Sequence, residues 1–65
     1  MNTQKLKGKI VENGMNVEAL AKVIGVDRSS MYRKLNNSKL TIADVTKIKE
    51  ALHLSNKEAT EIFFG

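Results

Sequence analysis

Apolar residues recur along this chain at helical spacing, and nowhere do they alternate with the period of two that a strand needs. The first segment, from about Thr3 to Asn13, carries Leu6 and Ile10 four apart, with Val11 beside them and lysines at 5, 7 and 9. Gly8 in its middle costs about 1 kcal/mol relative to alanine, and close packing against another helix is the expected compensation. Asn13-Gly14 ends the segment, because both residues tolerate left-handed backbone. The second helix starts after Asn16, an N-cap residue, with Glu18 in its first turn. Val17, Leu20, Ala21 and Ile24 form one core stripe, with Ala21 small enough for a neighbouring helix to approach closely, and Gly25 permits a sharp turn.

A third helix follows the cap Asp27 and is expected over Arg28 to Asn36. At about 100° per residue, Met31 and Leu35 define its core direction, Ser29 and Arg33 point nearly opposite, and Tyr32 and Asn36 lie on a flank. Arg28 reaches outward from the N-terminal end. The outer face is thus Ser, Tyr, Arg and Asn with no acid, where an ordinary surface helix mixes Glu and Lys. Asn36 to Leu40 reads as a loop anchored by Leu40. Thr41-Ile42-Ala43-Asp44 opens a fourth helix as a capping box with Asp in the acidic place. Its buried stripe is expected to be Ile42, Val45, Ile48 and Leu52, closed by Leu54. Ser55-Asn56-Lys57-Glu58 caps a fifth helix with Ala59, Ile62 and Phe63 on one side, and the chain ends with Phe64 and Gly65.

Sixty-five residues make one domain, 1–65, with a small core. Such a core supplies roughly 3–5 kcal/mol at most, and the absence of cysteine leaves it without disulfide or thiolate-metal support. Eleven Lys and Arg against seven acids give +4, which favours an anionic partner without naming one. No apolar run approaches the ~20 residues of a membrane span and no signal core follows Met1. We therefore expect a cytoplasmic protein with no membrane association.

The run Leu20-Ala21-Lys22-Val23-Ile24-Gly25-Val26-Asp27-Arg28-Ser29-Ser30-Met31-Tyr32-Arg33 resembles the helix-turn-helix of the phage repressor and Cro (XRE-type) family. That pattern places an alanine in the first helix, a glycine four residues on and an apolar residue six later: here Ala21, Gly25 and Met31. One helix before the motif and two after it match the family's order, so the resemblance spans essentially the whole chain. It implies an all-α, compact five-helix domain of lambda-repressor type. There are two departures. Lys34 stands nine after the glycine, where the family commonly has an apolar residue. Val17 stands near a position where many phage repressors carry a phosphate-touching glutamine, so that contact is not transferred. The ending Tyr32-Arg33-Lys34-Leu35 is also similar to the nucleoid-factor type of motif, in which, however, the motif closes the chain.

The resemblance implies sequence-specific binding of double-stranded DNA by a small transcriptional regulator whose third helix lies in the major groove. Arg28, Ser29 and Arg33 become base readers, with Tyr32 at the edge. An arginine bidentate on guanine N7 and O6 gives about 1–3 kcal/mol of discrimination. The alternative is solvated surface charge for the arginines and a half-buried lid over the core for Tyr32. Helix starts and the cation Lys39 suit phosphate, and Asn16, Asn36, Asn37, Ser38, Lys39 and Thr41 are the candidates. Lys5, Lys7 and Lys9 read as a solvated face. Leu54, Ile62 and Phe64 are candidates for a weak two-fold homodimer contact on a near-palindromic operator.

Catalysis has little support: His53 is the only histidine, and no glycine-rich phosphate loop or metal-ligand cluster is visible. No cofactor, metal or small-molecule ligand is expected. The rival reading is a helix-turn-helix-shaped protein-interaction module, such as an antitoxin, antirepressor or adaptor.

Overall fold

The computed structural model describes residues 1–65 as five helices without strands: α1 (Thr3–Glu12), α2 (Val17–Ile24), α3 (Arg28–Asn37), α4 (Ile42–Ala51) and α5 (Asn56–Phe63). Each start is fixed by a side chain that accepts from an otherwise unpartnered helix N–H. Asn2 accepts from the Lys5 amide, Asn16 from Ala19 and Asp27 from Ser30. Thr41–Asp44 and Ser55–Glu58 both form reciprocal capping boxes. None of the helices is long and apolar enough to cross a membrane.

The buried cluster draws on every helix: Leu6 and Ile10 from α1; Leu20, Ala21 and Ile24 from α2; Met31 and Leu35 from α3; Ile48 from α4; Ile62 from α5. Leu52 and Leu54 join them after α4. Helix α2 packs on α1, α3 and α4, and α1 packs on α5. The turn between α2 and α3 follows from Gly25, whose φ of 77° is left-handed. That geometry lets the Val26 N–H donate to Ala21 O at 2.9 Å and brings Val26 back against the core.

Four expectations about packing are corrected. Helix α3 runs one residue further, to Asn37, because Ser38 adopts left-handed backbone (φ 53°) and closes the helix as a C-cap. Asn36 and Asn37 are therefore the last turn of α3 rather than loop. Ile42 is 83% exposed. It precedes Ile48 by six residues, about 600° of helix, which turns it about 120° away from the buried direction. Asp44, four before Ile48, takes the buried place instead. Val11, 71% exposed, likewise lies about 100° from Ile10. Gly8 is exposed, and a β-carbon built there meets nothing within 4 Å, so no close helix approach explains it.

Candidate nucleic-acid interface

Helix α3 owes its outward face to two anchors. Met31 and Leu35 are 0% and 3% exposed and hold the opposite side in the core. Ser29, Tyr32, Arg33 and Asn36 consequently face solvent, as does Arg28 at the first turn.

A short hydrogen-bonded chain orders the middle of this face. The Ser30 hydroxyl donates to Asp27 Oδ1 at 2.6 Å, and Arg33 Nη2 donates to Ser30 Oγ at 3.4 Å. The Ser30 hydroxyl, then the Ser30 and Ser29 amides and the nearby charge of Arg33, hold the Asp27 carboxyl below the usual aspartate range. The N-cap of α3 thus reaches through Ser30 to orient the guanidinium of Arg33. Beyond it, Arg33, Lys34 and Lys39 gather with Ser30 and Asn37 around an open hollow of about 270 Å³ with no apolar residue in its lining. Arg33 is thereby brought together with Asn37 and Lys39, one base-reader candidate with two phosphate candidates.

The remaining candidates are dispersed. Arg28 lies apart, with Nη1 3.9 Å from Glu18 Oε2, and both side chains are more than half exposed. Such a pair is worth little, but it sets an acid from α2 beside the acid-free face of α3. Tyr32, 42% exposed, lines a second hollow with Lys7, Ile10, Val11, Met15, Asn16 and Val17. It shares that rim with Asn16 and Lys7 rather than with Arg33 and Lys39.

Backbone donors are scarcer than the sequence implied. The Thr41 N–H donates to Asp44 Oδ2 at 3.0 Å, and the Thr41 hydroxyl accepts from the Asp44 N–H at 3.1 Å. The Ser38 and Lys39 amides return to Leu35 O and Lys34 O at 3.4 and 3.0 Å. What Ser38 and Lys39 present to a ligand is therefore their side chains, and Thr41 has no backbone donor left. At Asn16 the side-chain oxygen is engaged by the Ala19 N–H at 2.8 Å.

Two further corrections concern the edges. Ile62 is 0% and Leu54 7% exposed, because both complete the small core of this chain. Of the three dimer candidates only Phe64, 75% exposed, offers surface to a second copy. The lysines of α1 are not simply a solvated face. Lys5 pairs with Glu61, and Lys9 pairs with Glu58 at 2.5 Å and with Glu12 at 3.5 Å. The Lys9 ammonium, together with the capping-box bonds from Ser55, holds Glu58 at about 2.

Sequence reasoning missed Ser30, Lys34 and Asp44. Ser30 carried a local signal, since it stands three residues after a capping aspartate. Lys34 and Asp44 meet across the α3–α4 turn at 2.8 Å. Asp44 was legible as a cap but its partner was not.

Compared with known proteins, the chain matches no family model, no curated protein and no solved structure. No group of three or more His, Cys, Asp or Glu side chains gathers as a metal site would.

Proposed function

We propose that this chain is a sequence-specific double-stranded DNA-binding domain, a small regulator of the phage-repressor type that reads the major groove with α3. The observation that carries the reading is the cationic hollow on α3. Arg33 stands on the outward face of a helix anchored by Met31 and Leu35. Asn37 and Lys39 flank it with hydrogen-bonding and charged groups. Base recognition falls to Arg33 first, then Arg28 and Ser29, with Tyr32 at the margin. Phosphate falls to Lys39, Asn37 and Ser38, with Asn36 and Asn16 at the periphery.

Pairing on a near-palindromic site is part of the proposal. The chain measures 28 Å along its longest axis, and half-sites one turn apart are separated by about 34 Å. Of the dimer candidates Phe64, exposed, is the side chain available for a small contact between copies, which suits a weak dimer. Control by protein concentration at a cytoplasmic promoter follows from such a device.

A protein-interaction module is the second reading. It is favoured by the apolar hollow of Ile10, Val11, Met15, Val17 and Tyr32, since partner proteins anchor on buried apolar and aromatic groups.

Fluorescence anisotropy with DNA from beside the chain's own gene and with random DNA, for wild type and Arg33→Ala, tests the proposal. Specific binding exceeds random binding by about 10³ or more when a site is read. Arg33→Ala is expected to remove about 1–3 kcal/mol of that margin and to weaken random-DNA binding far less. Equal, weak binding to both DNAs, unchanged by the substitution, contradicts the proposal and favours the protein-interaction reading.

A further inference from the structure

Asp44 is the one buried charged residue of the chain, 6% exposed, and its carboxylate is shared between two elements. Oδ2 accepts from the Thr41 N–H at 3.0 Å, which starts α4, and from Lys34 Nζ at 2.8 Å, which comes from the last full turn of α3. Lys34 is itself only partly exposed, its side chain at 30%. The ammonium beside it, followed by the bonds from Thr41, holds the Asp44 carboxyl below the usual aspartate range. Lys34 nevertheless lines the same hollow as Arg33 and Lys39, and by position alone it counts as a second cationic phosphate ligand beside Lys39.

We infer that Lys34 is a positioning residue whose ammonium ties α3 to the start of α4 through Asp44 and is withheld from phosphate, so that the hollow acts with two cations, Arg33 and Lys39. The inference rests on the DNA-binding reading for its phosphate half. The reason lies in competition for one ammonium. A DNA phosphate at this exposed hollow is hydrated and screened. The Asp44 carboxylate is fixed at hydrogen-bond distance and largely shielded from water, where a charge left unpaired is strongly disfavoured. Drawing Lys34 out to DNA strands that carboxylate, so the internal partner wins. The position also accounts for the departure in sequence: where a related motif closes the end of this helix with an apolar side chain, this chain closes it with an ion pair to the next helix.

Counterion release makes the inference measurable, because each neutralised phosphate adds about 0.9 to the slope of log affinity against log salt. Asp44→Asn keeps an acceptor for the Thr41 N–H but removes the charge that holds Lys34. The slope is expected to steepen by about 0.9 as Lys34 turns to phosphate. The neutral pair, Lys34→Met with Asp44→Asn, is expected to keep the wild-type slope, while Lys39→Ala lowers it by about 0.9 and calibrates the scale. An unchanged slope for Asp44→Asn, with a loss of about 0.9 for the neutral pair, overturns the inference and makes Lys34 a phosphate ligand. A parallel NMR titration without DNA follows the Asp44 side-chain carboxyl carbon. It is expected to titrate below the ordinary aspartate range in wild type and to move up in Lys34→Met. An identical titration in both proteins overturns the tie whatever DNA does. A wild type whose DNA binding shows no salt dependence overturns the DNA reading and the phosphate half together, while the titration still decides the tie.

Discussion

Two groups of cations on this small domain stand in opposite surroundings. Along the α1–α5 edge, Lys5 and Lys9 face Glu61 and Glu58, and their charge is largely cancelled within the fold. On the α3 side, Arg33 has only a long contact to a hydroxyl at 3.4 Å, and Lys39 makes no ion pair. Lys34, tied to Asp44, and Arg28, 3.9 Å from Glu18, are the exceptions there. The net charge of +4 is therefore a poor guide to where an anion would be received. Several cations make no ion pair, Lys7, Lys22, Lys47, Lys49 and Lys57 among them; what distinguishes Arg33 and Lys39 is that they meet around one hollow at the end of α3. Along the α1–α5 edge, the charge of Lys5 and Lys9 is spent on ion pairs within the fold.

The largest predicted effect tests whether the α1–α5 edge is fold or interface. Ile62→Ala empties a fully buried site and is expected to cost about 2–5 kcal/mol, comparable to the roughly 3–5 kcal/mol such a domain holds in total. Circular dichroism should find it largely unfolded at 25 °C. Phe64→Ala, on an exposed neighbour, should stay within about 0.5 kcal/mol of wild type. A folded, stable Ile62→Ala contradicts the assignment of that side chain to the core.

Charge removal then separates the two regions directly. Lys39→Ala should lower the salt slope of DNA binding by about 0.9, whereas Arg33→Ala should relax specificity and leave the slope near the wild-type value. Lys5→Gln and Lys9→Gln should leave it unchanged, because their partners are acids of α5. A drop for the α1 variants equal to that for Lys39→Ala breaks the distinction.

Acid sharpens it from the other side. Glu58 titrates at about 2 in the folded chain, held there first by the Lys9 ammonium, and Glu61 is lowered by Lys5. A carboxyl whose folded value lies below its unfolded one stabilises the fold above the unfolded value near 4.5. That contribution is lost as pH falls from about 4.5 toward 2. Urea midpoints measured between pH 7 and pH 2 should fall across that window, and the fall should be shallower in Glu58→Gln. Conversely, the same carboxylate raises Lys9 above its ordinary value of 10.5, so on the alkaline side the pair's contribution is fully present at neutral pH and is lost as pH rises from about 10.5 through the folded value of the lysine.

Gly8→Ala is predicted to stabilise α1 by about 1 kcal/mol, since the added methyl meets open space. Thermal unfolding should report a rise of about 4–8 °C. No gain, or a loss, would mean that α1 packs against something at Gly8. The smallest effect concerns Arg28. Glu18→Gln removes its long ion pair, 3.9 Å, and should tighten binding to random DNA by no more than the ~1 kcal/mol of an exposed pair. A weakening would assign Glu18 a role in holding Arg28 for DNA.

The parts of the fold legible in the sequence are those set by local chemistry. Asn16, Asp27, Thr41 and Ser55 cap where a short polar side chain precedes an apolar run, and Gly25 turns where only glycine is comfortable. The end of α3 was misjudged because Ser38 adopts left-handed backbone without being glycine, as His53 does after α4. Ile42 was assigned to the core by counting apolar residues at plausible spacing, whereas Asp44 filled the buried position through its ion pair. Contacts between segments left no local trace. Lys34 and Asp44 are ten positions apart and Lys5 and Glu61 are 56 apart, and nothing in either segment alone chooses the partner. The same limit applies to Leu54 and Ile62, since a large apolar side chain looks alike in sequence whether it closes its own core or a dimer. At the candidate site, the outward residues of α3 were legible from periodicity. The closure of the Thr41 amide was implicit in the capping box, but that of the Ser38 and Lys39 amides was not, because it depends on the left-handed turn at Ser38.

The most direct test of the central claim is an amide chemical-shift map of the chain titrated with a duplex carrying its preferred site. We predict that perturbations concentrate on Arg28 to Asn37 and on Ser38 to Thr41, with a lesser response at Asn16. Amides near Lys5, Lys9, Glu58 and Glu61 should stay near their free positions. Perturbations centred on that α1–α5 edge, or on Val11, Met15 and Val17 with α3 silent, would contradict the account and move the functional surface away from the third helix.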